Sequence, residues 1–200
     1  MRPFVVALTA GLFAAAPAIA DATCTHQLKT AKPGWKAYKT TDKLPVGGTF
    51  SKATLSPTAP AASVPEALAG ATMNIVASSV DSGLDIRNQT LVTSYFSKLL
   101  PDAPFRVSVA KVEGDNSSGT ATLNVELNGV SRAMAFPYTV SEAGELTAVA
   151  TMEMMDFGLK AAFDAIHTAC EALHTGPDGV SKTWTDVELT VNATIEKSCN

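Results

Sequence analysis

Basic clusters, metal-ligand spacings and catalytic signatures are all missing from this 200-residue chain. Its only histidines are His26, His167 and His174. A zinc pair on a helix needs ligands about four residues apart, whereas His167 and His174 stand seven apart and share a face only if one helix continues through both. A structural role is expected for each, and no metal site. There is no Gly-x-Ser-x-Gly elbow, no glycine-rich phosphate loop and no Cys-x-x-Cys pair. Asp81, Asp85 and Asp156 fall at the ends of strands or helices, where capping is the ordinary use of an aspartate. The 15 Lys and Arg are outnumbered by 19 Asp and Glu and form no cluster, which excludes a phosphate-tracking surface and with it a nucleic-acid partner. Catalysis has no visible carrier, so the chain is not expected to be an enzyme.

Long apolar runs are also scarce, and the one present is at the start. Met1-Arg2-Pro3 is followed by apolar residues from Phe4 to Ala16, then Pro17 and Ala18-Ile19-Ala20 before Asp21. A short positive head, an apolar stretch short of the ~20 residues needed to span a bilayer, and small residues before a cleavage point make residues 1–20 a signal peptide. Cleavage is expected after Ala20. Asp21-Ala22-Thr23 ahead of Cys24 does not suit lipid attachment. Residues 21–200 are then one domain of about 180 residues, exported and without stable membrane insertion. Loss of Arg2 takes the formal charge of −4 to about −5.

Cysteine is limited to Cys24, Cys170 and Cys199, in a chain bound for a compartment where disulfides persist. One pair and one leftover thiol are expected. If the first and last strands are antiparallel neighbours, the start of one lies beside the end of the other, which favours Cys24 with Cys199. Cys24 with Cys170 is the alternative, because Cys24 precedes the first convincing strand and its segment could cross to a helix.

From Phe105 onward the apolar pattern has period two, the mark of strands with one buried and one wet face. Phe105, Val107 and Val109 are in phase, then Ala121, Leu123, Val125 and Leu127. Asn128-Gly129 marks a tight hairpin turn, since both residues tolerate positive φ. Met134, Phe136, Tyr138 and Val140 follow on a third strand, Leu146 to Met154 on a fourth, and Thr183 to Lys197 on a last. Earlier strands are read at Trp35–Lys39, Gly47–Leu55 and Ala71–Ser78. Helical spacing predicts one helix over Arg87–Leu99, capped by Asp85 and stopped by Pro101, and another over Leu159–Leu173. Ser56–Pro65 is a loop, ending in a short helical turn at Pro65–Leu68.

Antiparallel strands joined by tight turns point to a sandwich or closed barrel. Five methionines (Met73, Met134, Met152, Met154, Met155) and five phenylalanines (Phe96, Phe105, Phe136, Phe157, Phe163) fall on the strands or on helices that would cover them. Methionine adapts to irregular apolar partners, and a barrel of about eight strands is either filled by side chains or hollow enough for one ligand.

Several segments together resemble the YceI-like family of periplasmic proteins: Trp35–Phe50 with its Val-x-Gly-x-Phe-like element, Asp85-Ile86-Arg87-Asn88 with Leu91 and Tyr95-Phe96, Pro104-Phe105, Leu127–Phe136, Met155-Asp156-Phe157-Gly158, and Cys170–Val191. The resemblance covers Trp35 to Lys197 and departs from the family at Asn88 and Met155. It implies an all-β fold with one or two short helices: an extended, eight-stranded, antiparallel, lipocalin-like β-barrel with a helix over its mouth. It further implies a long-chain ligand, polyisoprenoid, isoprenoid quinone or fatty-acid derivative, with no required cofactor and a periplasmic location; a homodimer is compatible. Wall residues expected on that basis are Met73, Phe96, Leu99, Phe105, Phe136, Met152, Phe157 and Phe163, with Trp35 and Trp184 near the closing seam. Two rival expectations are a filled barrel serving as a protein-interaction or inhibitor module, and an enzyme built on Asp85, Arg87 and His174, which needs at least two of the three to meet in one pocket.

Overall fold

A computed structural model describes residues 23–200. The leader, residues 1–20, lies outside the described residues. In chain order the strands are β1 (Cys24–Lys39), β2 (Leu44–Phe50), β3 (Ala53–Leu55), β4 (Thr72–Ile75), β5 (Val80–Asp81), β6 (Arg106–Gly114), β7 (Ser118–Leu127), β8 (Val130–Val140), β9 (Glu145–Glu153) and β10 (Asp186–Cys199). The helices are α1 (Val64–Leu68), α2 (Asp85–Thr90), α3 (Lys160–Ala169) and α4 (Glu171–His174).

The ten strands form one antiparallel sheet in the order β3-β4-β6-β7-β8-β9-β10-β1-β2-β5. Its two ends are halves of the same two chain segments. Only Ser51 and Lys52 separate β2 from β3, and a 3₁₀ turn at Ala77–Ser79 separates β4 from β5. Those breaks face each other and are still hydrogen-bonded: Ser51 N donates to Ser79 O at 2.9 Å, and Val76 N to Lys52 O at 2.9 Å. Counting β2–β3 and β4–β5 as one interrupted strand each, the sheet closes into an eight-stranded ring, with unpaired strand edge where β8 and β9 part.

Period-two patterning places the core as expected. Ala121, Leu123, Val125 and Leu127 of β7 are all buried and face Phe136 and Tyr138 of β8 and Val187, Ala193 and Ile195 of β10. Asn128 and Gly129 both take positive φ, 54° and 75°, as the two-residue hairpin requires. At the β8–β9 junction, pairing runs only from Tyr138↔Ala148 to Val140↔Leu146. Beyond that the two strands part, and the turn Met154–Phe157 contacts both of them.

The two ends of the barrel differ. At one end β1 and β10 pair Cys24 with Cys199 directly across the ladder, and the two sulfurs are bonded. The adjacent-strand pairing is therefore the one formed. Cys170 is free; it sits at the α3–α4 junction, at the opposite end from Cys24, which is why the alternative pair does not form. The disulfide end is plugged by α1, whose Val64, Ala67 and Leu68 are buried. Ser63 caps α1 through Glu66 N, and Asn116 Oδ1 accepts from Val64 N at 2.7 Å. The other end is covered by α2, α3 and α4.

Three local expectations are corrected. The first strand begins at Cys24, eleven residues before Trp35, because its outer half gains order from β10 rather than from a regular apolar alternation. The first helix is irregular: α2 passes into a π turn at Leu91–Tyr95 and a 3₁₀ turn at Phe96–Lys98. Asp85 is its first residue and makes no cap; the preceding position is Leu84, with no side-chain cap bond. The second helix breaks at Cys170 into α3 and α4.

Candidate ligand-binding cavity

The barrel is hollow toward the helix-covered end. A cavity of about 380 Å³ lies between the strands and α2–α4, within the range of roughly 300–1,000 Å³ usual for small-molecule sites. Its walls come from consecutive inward positions: Trp35 and Ala37 of β1, Val125 and Leu127 of β7, Met152 of β9, and Val187 and Leu189 of β10. Phe50, Phe96 and Phe105 form an aromatic flank, with Phe50 edge-on to Phe96 at 6.0 Å and to Phe105 at 5.4 Å. Tyr95 meets Phe96 edge-on at 5.1 Å. The π turn sets both Leu91 and Tyr95 onto the cavity; such widened turns recur at functional sites.

A second cavity of about 70 Å³ is lined by the next inward residues of the same strands, among them Leu28 and Ala31 of β1, Ala121 and Leu123 of β7, Ala148 of β9, and Val191 and Ala193 of β10. The two hollows thus follow one another along the barrel axis. The outer one opens where Leu84, Ile86 and Leu173, which line it, are also 47%, 63% and 69% exposed.

Tyr95 and the unpartnered Trp35 Nε1 are polar groups on the cavity wall itself, while the charged side chains of the lining gather at this mouth. Lys39, Arg87, Cys170, His174 and Thr183 line it, drawn from β1, α2, the α3–α4 junction and the segment before β10. Lys39 Nζ donates to Leu173 O at 3.2 Å. The Thr183 hydroxyl is shared between His174 Nδ1 at 2.6 Å and His167 Nδ1 at 2.9 Å, and so clasps both helices to the segment before β10. Burial lowers the His174 pKa, helped by the nearby charges of Lys39 and His167, which favours the neutral ring. Burial pushes the Cys170 thiol up, while Lys39 and Arg87 pull it down less strongly. A protonated thiol is a poor nucleophile. Deeper in, burial also raises the Tyr95 phenol, whose hydroxyl has Met154 Sδ as partner at 3.6 Å.

Of the residues expected at the wall, Trp35, Phe96, Phe105 and Met152 line the main cavity, and Met73 and Phe136 the smaller one. Four line neither, and each has a local reason. Leu99 follows the 3₁₀ turn in extended conformation and leaves the helical stripe. Phe157, 2% exposed, packs in the core between the parting strands β8 and β9, its carbonyl held by Asn128 Nδ2 at 3.2 Å. Phe163 stacks on His167 at 6.2 Å. Trp184 lies outside, its Nε1 donating to Thr40 O at 2.9 Å and its ring under the ammonium groups of Lys43 and Lys182. Of the enzyme candidates, Arg87 and His174 both line the cavity, which meets the condition of two in one pocket, and Asp85 does not line it. No group of three metal-ligating side chains occurs among the described residues.

A closed antiparallel barrel holding an apolar chamber beneath a helical cover defines a lipocalin-like binding architecture. The chain belongs to the YceI-like domain family, whose model matches residues 27–195. Among solved structures it is similar to a polyisoprenoid binding domain from Saccharophagus degradans implicated in plant cell wall breakdown, at 13% identity and TM-score 0.56 over 89% of this chain and 100% of that one. It is also similar to BcnA of Burkholderia cenocepacia, at 14% identity and TM-score 0.55 over 83% and 96%, and to the Campylobacter jejuni YCEI protein, at 15% and 0.51 over 78% and 85%. These likenesses establish the fold. No curated protein is similar to the chain in sequence.

Proposed function

We propose that this protein is an exported, periplasmic carrier that holds one long-chain apolar molecule, a polyisoprenoid, isoprenoid quinone or fatty-acid derivative, inside its barrel. The observation that carries this reading is the apolar cavity itself, continuous in direction with a second hollow deeper along the barrel axis. Each buried methylene contributes about 0.8 kcal/mol, so a chain laid along the walls is held with few polar contacts. Family membership and the polyisoprenoid-binding neighbour support it. A filled interaction module would have no such chamber. No helix among the described residues is long and apolar enough to cross a membrane.

The test is native mass spectrometry of the protein purified from its own periplasm, with extraction and identification of any bound species. A long-chain lipid of defined mass is expected. Phe105→Asp, which places a charge in the aromatic flank, should strip that lipid, whereas Glu188→Gln, at the outward Lys36 ion pair, should keep it. Equal lipid content in both variants, or none in the parent protein, would contradict the reading.

A further inference from the structure

The main cavity is lined by no carboxylate, although acidic residues outnumber basic ones in the chain. Its permanently charged side chains are both cations, Lys39 and Arg87. The ion pairs among the described residues use Lys29, Lys36, Lys43, Lys111 and Lys160, and leave these two out. Lys39 spends one N–H on Leu173 O, which fixes the ammonium at the rim and leaves two donors over. Arg87 approaches from α2. Both side chains line the same cavity as Cys170 and His174, drawn from β1 and α2, so they act on one volume at the mouth. Cations beside apolar walls are stabilised by an opposite charge that shares their desolvation, and among the described residues no ion pair or lining carboxylate supplies one.

Given a long-chain ligand as proposed above, we infer that its head group is an oxyanion, a carboxylate or a phosphate, held between Lys39 and Arg87 with its chain running inward past Phe105 and Met152. A guanidinium offers a planar pair of donors to either group, and an ammonium a point charge. Simple snorkelling of two long side chains at an apolar rim would give no preference among head groups, which separates the two accounts.

The experiment measures displacement of N-phenyl-1-naphthylamine from the delipidated full-length mature protein by four probes with the same sixteen-carbon chain: hexadecanoate, monohexadecyl phosphate, hexadecan-1-ol and hexadecylamine. At least one oxyanion is expected to bind about tenfold to hundredfold more tightly than the alcohol, and whichever does so names the head group. The amine should bind worst. In the double variant Lys39→Gln/Arg87→Gln the preference should fall to within about threefold, while Lys39→Arg/Arg87→Lys should restore it, with circular dichroism melting checking the fold of both. Equal affinities for all four probes would overturn the head-group assignment and leave the carrier reading standing, as would a preference that survives the double glutamine variant. Failure of every probe to displace the dye would overturn the carrier reading and this inference together.

Discussion

The two halves of the barrel are made from the same strands and are put to different uses. Toward the disulfide, inward positions are filled: Leu123, Phe136, Tyr138, Leu146 and Ile195 are all at most 6% exposed, α1 seals the end with three buried side chains, and the residual hollow is about 70 Å³. Toward the helices, the same strands enclose about 380 Å³, α2 and α4 bury no residue completely, and apolar side chains stand in solvent around the opening. Interiors reach crystal-like density when stability alone shapes them. The packed half therefore carries the fold, and the proposed binding falls to the hollow half.

That division can be broken from either side. The largest effect is expected at the disulfide, which joins residues 175 apart: Cys24→Ser with Cys199→Ser should lower unfolding free energy by about 4–5 kcal/mol, read by urea titration, with affinity for alkyl probes retained. Ile195→Ala, in the packed half and outside both cavities, should cost about 2–5 kcal/mol and likewise spare binding. Phe96→Ala, at the mouth, should cost stability only about 1–2 kcal/mol because the ring is incompletely buried, yet weaken probe binding about tenfold. A Phe96 variant that loses stability but not affinity would erase the distinction between the halves.

The smallest effect concerns pH. His174 has a folded pKa below its ordinary 6.5, so as pH falls through about 6.5 the unfolded chain takes up a proton that the native ring resists, and stability drops until the folded pKa is reached. His174→Asn should flatten the acid limb of the stability profile between pH 6.5 and that point. An unchanged slope in chemical denaturation across pH 5–7 would show that the mouth histidine is not buried as described.

Sequence patterning revealed the packed half far better than the hollow one. Strands β6 to β10 each have one wet and one dry face, so their alternation is plain in Ala121–Leu127 or Val187–Ile195. The first strand was hidden because the inward apolar residues of Cys24–Pro33, Leu28, Ala31 and Pro33, are thrown out of phase by a bulge between Leu28 and Thr30, and its order comes from pairing with a segment more than 150 residues away. The breaks in β2–β3 and β4–β5, which close the ring, depend on a 3₁₀ turn facing two residues and have no periodic signature. At the mouth, Lys39, Arg87 and His174 come from three distant segments, and nothing local marks them as neighbours. Phe157 and Phe163 illustrate the converse: an aromatic on a covering element reads as wall, while a gap between β8 and β9, or a stacking histidine one turn away, takes it instead. Arg87 sits among Asp85, Asn88, Gln89 and Thr90, so its own segment does not single it out as a residue of the mouth.

The central claim is that a chain lies inside the hollow half with its polar end at the mouth. Isotope-filtered nuclear Overhauser spectroscopy on the protein with uniformly ¹³C-labelled hexadecanoate tests it most directly. Contacts are predicted from the chain methylenes to Trp35, Phe105 and Met152, and from the methylene beside the carboxylate to the Lys39 and Cys170 side chains. Contacts confined to the exposed rim residues Ile86 and Leu173, with none to Phe105 or Met152, would contradict it.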